Sequence, residues 1–111
     1  MTVISSVSLS SDNSTIAVTF SEAVYSTIDA TTDLVVGDFT MSISGGTATL
    51  SSATPSSISI SGNVYTLGIS FTGTSNGSEI LTVVPASATA IYDTAGNAVA
   101  VSQSNNTATY R

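Results

Sequence analysis

The 111-residue chain sets seven acidic residues against one cation, Arg111, for a formal net charge of −6, and contains no lysine, histidine, cysteine or tryptophan. Those absences remove the proton shuttle of neutral pH, the thiol nucleophile, the Schiff-base amine and the thiolate and imidazole ligands of zinc, copper and iron–sulfur centres. An acidic chain with nothing to neutralise phosphate is also a poor partner for nucleic acid or an anionic membrane surface, and its natural complement is a divalent cation that selects oxygen ligands.

The N-terminal MTVISSVSLS lacks both a basic start and an unbroken apolar run, so it does not read as a secretory signal, and Met1 reads as an initiator set before an excised fragment. No stretch is apolar for long enough to cross a bilayer as a helix. The length predicts one domain, 1–111, able to bury a core without a covalent staple. Normal hydrophobicity at low charge opposes disorder.

Period-two alternation runs through the whole chain, and no segment carries a helical stripe. Strands are predicted over 3–9 and 14–20, where Ile16, Val18 and Phe20 alternate with Ala17 and Thr19 across the Ser11-Asp12-Asn13 turn. A long connection, 21–37, follows. Phe39, Met41 and Ile43 define a strand over 38–44, and Ser44-Gly45-Gly46 turns it into another over 47–53. Ile58 and Ile60 mark 57–61, and Tyr65, Leu67, Ile69 and Phe71 form the longest clean set, 64–71. After Ser75-Asn76-Gly77, the run EILTVVP (79–85) is apolar on both faces, as a central strand is, and Pro85 ends its ladder. A second long connection, 85–103, leads to a last strand over 104–110. Seven to eight short strands with Gly, Asn and Ser turns predict an all-β fold, an immunoglobulin-like antiparallel β-sandwich with Greek-key crossings; an up-and-down barrel suits the two long connections less well.

Strand parity then sorts the loops. The loops after Phe20 and after Pro85 fall at the pole of the N-terminus, while the Asp12 turn, the Asn76-Gly77 turn and Arg111 fall at the other. Opposed termini suit domains strung end to end.

Four segments carry a family likeness. TIAVTFSEAV (15–24) resembles the second strand of bacterial Ig-like repeats, GDFTMSISGG (37–46) their "DF" strand, GSEILTVVP (77–85) their next-to-last strand and AIYDTAGNAV (90–99) their late "D-x-A-G-N" loop. In order and spacing the chain is similar to the Ig-like, SwmB-type repeats found in tandem in large bacterial surface proteins and adhesins. The resemblance implies an extracellular repeat that spaces or presents other domains, with neighbouring repeats of the same chain as partners and often with calcium. Some members of such families carry a Lys–Asn isopeptide bond, which a chain without lysine cannot form. An ester cross-link would have to use Gln103, the one glutamine.

The sharpest local signal is Asp93 to Asn97. Turn chemistry accounts for it: Asp93 caps the backbone, Gly96 takes a left-handed conformation, and Asn97 tolerates one. The functional reading makes Asp93 and Asn97 calcium ligands, joined by Glu22 from the same pole, with Asp29 and Asp33 nearby, in a site of the weak extracellular grade. Asp12, at the opposite pole, is placed to serve a junction with a following repeat. Tyr25 and Tyr92 lie beside Glu22 and Asp93, where they plug the sandwich end or line a sugar or protein site. Thr47-Ala48-Thr49 and Thr107-Ala108-Thr109 are too few to make an ice-binding array and read as wet strand faces. No base exists to activate a serine, and paired acids would need a cleft.

The sequence therefore predicts a spacer repeat of a bacterial surface protein or adhesin, extracellular, monomeric when isolated, and not an enzyme. The alternative is a carbohydrate- or protein-binding module that uses loops 21–37 and 85–103.

Overall fold

The computed structural model describes residues 3–110. Met1, read as an initiator, and Arg111, assigned to a pole, lie outside the described residues. The fold is all-β, and every strand pairing is antiparallel. In chain order the strands are β1 (Ile4–Leu9), β2 (Thr15–Phe20), β3 (Val24–Tyr25), β4 (Phe39–Ser44), β5 (Thr49–Leu50), β6 (Ile58–Ser61), β7 (Val64–Gly68), β8 (Phe71–Thr72), β9 (Ile80–Pro85), β10 (Tyr92–Asp93) and β11 (Thr107–Thr109). A four-stranded sheet has the order β1-β2-β7-β6, and a three-stranded sheet the order β11-β9-β4. Two rim ribbons, β10-β3 and β5-β8, complete the structure.

The alternation read from the sequence is what closes the two layers. Ile16, Val18 and Phe20 of β2 and Tyr65 and Leu67 of β7 turn inward from one sheet. They meet Phe39 and Met41 of β4 and Leu81 and Val83 of β9 from the other in a single apolar cluster. Thr15, Thr19, Thr40, Ser42, Thr66 and Thr82 alternate with them and take the opposite faces, as the pleat allows. Phe20 bridges the layers, with its ring 6.3 Å from that of Phe39 and edge-on to Tyr65 at 5.4 Å.

The predicted strands 47–53 and 104–110 shorten to β5 and β11, and three further details depart from the prediction. The 64–71 run does not stay in one sheet. At Gly68 the chain faces a bulge, because Ser56 N–H donates to the Gly68 carbonyl (3.0 Å) and Gly68 N–H to that of Ser57 (2.9 Å). A Cβ at Gly68 would strike the hydroxyls of both serines, so the missing side chain permits the bulge. Ile69 N–H then bonds Ser14 O at 2.8 Å, and Phe71 leaves to pair with Leu50 in the rim ribbon. The two long connections are also not purely loop. Each holds a two-residue strand, β3 or β10, and these pair with one another. The described residues therefore contain eleven short strands where seven to eight were predicted. Lastly, β9 is central in its sheet but sorts its side chains: Leu81 and Val83 are buried while Ile80 is 42% exposed.

The poles follow the predicted parity. Ser21 N–H donates to Val3 O (2.8 Å), which places the chain's entry beside the loop after Phe20. Tyr110 N–H donates to Glu79 O (2.8 Å), and Asn13 Nδ2 to Ser75 Oγ (3.2 Å), so the exit, the Asp12 turn and the 73–79 turn share the other pole. The body measures 42 × 23 × 22 Å.

Tyr65 anchors the first long connection from inside the core. Its hydroxyl donates to Val24 O and accepts from Val24 N–H, both at 2.9 Å and buried. Tyr65→Phe leaves both backbone groups unpaired and should cost about 1–3 kcal/mol of stability. Denaturant melts would measure the loss, and hydrogen exchange should show the Val24 amide losing protection beyond the global change.

Candidate functional site

Asp93, Asn97 and Glu22 gather at the entry pole, as parity requires. β3 and β10 pair Val24 with Asp93 and Tyr25 with Tyr92, so the two long connections meet backbone to backbone. Tyr25 and Tyr92 are half-buried partners across this ribbon. Gly96 has φ +84°, and a Cβ there would also crowd Ile28 O at 3.1 Å, so glycine is required twice over.

The Asp93 carboxylate is turned into its own loop. It is buried, and its Oδ1 accepts from the N–H groups of Ala95 and Asn97, both at 2.9 Å. Asp93 N–H donates to Asn97 O (3.0 Å), and Gly96 N–H donates to Asp93 O (3.1 Å). Asp93 and Asn97 thus meet through the backbone, as turn chemistry requires, and the Asn97 side chain is left on the exposed rim. Glu22 is exposed two residues before the strand partner of Asp93. Asp29 bonds Thr31 Oγ1 at 2.7 Å, and that hydroxyl, then Thr27, holds its pKa below the ordinary value. Among the described residues no three acidic side chains converge as a metal ligand set. A calcium ion at Asp93 would have to compete with two amide donors.

The other pole holds the residue that the sequence reading missed. Glu79 is fully buried, with no side-chain cation beside it among the described residues. Its Oε2 accepts from the N–H groups of Thr47 and Ala48, both at 2.8 Å, and Asn76 N–H reaches both carboxylate oxygens at 3.1 Å. Gly46, at φ +63°, lets the 44–48 turn close over this carboxylate, because a Cβ there would fall onto Glu79. Burial pushes the Glu79 pKa up, but the amides of Ala48, Thr47, Glu79 itself and Asn76 outweigh it and hold the group at about 2. Tyr110 packs beside it, edge-on to Phe71 at 5.4 Å, and its buried hydroxyl has no hydrogen-bond partner among the described residues. Burial first, then the Glu79 charge, raises the Tyr110 pKa.

Asp12 is held at about 2 by the Ser14 hydroxyl, then by Ser10 and the Ser14 amide, on an exposed turn. Gln103 does not approach a cross-link: its carbonyl accepts from Ile4 N–H at 2.9 Å and its amide donates to Ala100 O. Comparison with protein-family models, curated proteins and solved structures finds no match to this chain.

Two outcomes follow. Because the folded pKa of Glu79 lies below its ordinary 4.5, its contribution to stability is complete above that pH and is lost as pH falls toward about 2. Glu79→Gln, which can keep an oxygen on the amides of Thr47 and Ala48 but removes the charge they favour and turns an NH₂ toward Asn76 N–H, should lower Tm by several degrees at neutral pH. The gap to the parent should narrow between pH 4.5 and 2 in circular-dichroism melts. At the entry pole, Asp93→Ala should cost about 1–3 kcal/mol equally in calcium and in chelator. A loss seen only in calcium would make the carboxylate an ion ligand.

Proposed function

We propose that this chain is an immunoglobulin-like spacer repeat of an extracellular bacterial surface protein, holding neighbouring domains apart end to end. The observation that carries the reading is the placement of residues 3 and 110 at opposite poles of a body 42 Å long and little more than 20 Å wide. The sheet orders β1-β2-β7-β6 and β11-β9-β4 support the fold name, since they reproduce the four-plus-three order of the seven-stranded immunoglobulin sandwich. The four sequence segments resembling bacterial Ig-like repeats cover β2, β4, β9 and the turn after β10.

The surface favours a neighbour at the entry pole. Of the six large apolar side chains exposed among the described residues, Val3 directly precedes β1, and Ile28, Val35 and Val101 belong to the two long connections. In an end-to-end array these are the apolar side chains that a preceding repeat would cover. The same residues would serve a receptor-binding module, and solution geometry separates the two readings. Two copies joined in tandem should show a maximum dimension in small-angle scattering close to twice the single 42 Å. Ile28→Ser with Val35→Ser should loosen that rod without lowering the melting midpoint of a single copy. Two copies that tumble independently, or fold back side by side, would refute the spacer reading.

A further inference from the structure

The sheets end in four edge strands, and the chain treats them unequally. β1 is covered at its entry end by the Gln103 side chain, which takes Ile4 N–H, and it lies against β11. β11, the edge of the other sheet, has β1 as its neighbour there. β4 is crossed by the 51–53 segment, where Met41 N–H donates to Ala53 O at 2.7 Å. Beyond β6, among the described residues, nothing pairs. Open edges are ordinarily blunted by charge, proline or a covering loop. β6 has no such protection: it reads Ile58-Ser59-Ile60-Ser61, and no charged residue occurs anywhere between Asp38 and Glu79.

The ladder fixes which groups face outward. Gly68 N–H donates to Ser57 O, and antiparallel bonding alternates from there. Ser59 and Ser61 therefore bond inward to Thr66 and Val64, and the N–H and C=O of Ile58 and Ile60 point to the open side. The Ile58 and Ile60 side chains share the face of their partners Leu67 and Tyr65, which is the core face. Ile58 packs against the core from that face, while Ile60 is 39% exposed where the opposite sheet no longer covers it.

We infer that β6 pairs antiparallel with β6 of a second copy about a two-fold axis at Ser59, joining two four-stranded sheets into one. The sequence Ser57-Ile58-Ser59-Ile60-Ser61 reads the same in both directions, so a two-fold axis at Ser59 sets serine against serine and isoleucine against isoleucine along the whole contact. With Ser59 opposite Ser59, Ile58 of each copy stands opposite Ile60 of the other. These are the residues whose backbone groups face outward, so each such pair exchanges two hydrogen bonds. The isoleucines meet on the core face and cover the exposed Ile60. A shift of one residue would oppose Ser to Ile and lose both. A chain of net charge −6 would ordinarily repel its copy, but this edge lies in the uncharged stretch. The contact departs from the monomer that the sequence predicts and stands independently of the spacer reading.

The pairing is tested by sedimentation of the isolated protein up to millimolar concentration. The expected result is a monomer–dimer equilibrium. Ile60→Lys should weaken it by about tenfold or more by placing a charge on the paired edge, with the monomer's melting midpoint retained. A second measurement reads register. The chain has no cysteine, so Ser59→Cys supplies a unique thiol that would face its own copy across a close, non-hydrogen-bonded pair. On oxidation it should form a linked dimer at least about tenfold faster than Ser8→Cys on exposed β1. A monomer at all concentrations, a dimer indifferent to Ile60→Lys, equal cross-linking at the two positions or an open-ended polymer would each overturn the proposal.

Discussion

The buried carboxylates of this protein, Glu79 and Asp93, take their hydrogen bonds from backbone amides, because the sequence offers almost no cation to pair with them. With Arg111 as the single cation, an acidic group that enters the fold must find N–H or O–H donors or stay at the rim. Glu79 takes three amides, Asp93 two amides, and Asp12 an amide and two hydroxyls. Each of these acceptors ties down a turn that would otherwise carry unpaired backbone donors. The acids thus act as fasteners for loops. Glu79 does so across the widest sequence gap, bringing the turn at 44–48 onto the turn at 74–79, at the pole where the chain leaves the body.

How legible this was in the sequence depended on how local each cause is. β2, β4 and β7 could be read because alternation is a property of neighbours, and Phe20, Tyr65 and Leu67 fall inside as their phase requires. The placement of the loops at two poles followed from counting strands. The Asp93–Asn97 turn was equally plain, since donor and acceptor lie within four residues of one another. The two-residue strands β3 and β10 are too short to show a period, and what fixes them, the Tyr65 hydroxyl on Val24, comes from 41 residues away. Glu79 was invisible for the same reason: it looks like the polar start of a strand until Thr47 and Ala48 arrive. Gly46 and Gly68 were signals of close approach that the sequence carried without saying what approaches.

The two poles differ in how they are finished. At the entry pole the long connections leave Ile28 and Val35 on the surface, over a ribbon closed by β3 and β10. At the exit pole short glycine turns draw inward around one buried carboxylate. A body finished by tight glycine turns at one end and by two long connections at the other has a direction, which a side-by-side packing of copies would not require. The open edge of β6 lies along the flank between these ends and leaves both free.

Suppose tension were applied between residues 3 and 110. The pull would run along the length of β1 against β2 and of β11 against β9, since entry and exit lie at opposite ends of those pairs. Hydrogen bonds crossing between such strands are then loaded in shear, together, and do not unzip one after another. The resistance of the domain would rest on how many of them must break at once, and on Gln103 and Glu79, which clasp the two terminal strands near the points where the load enters and leaves.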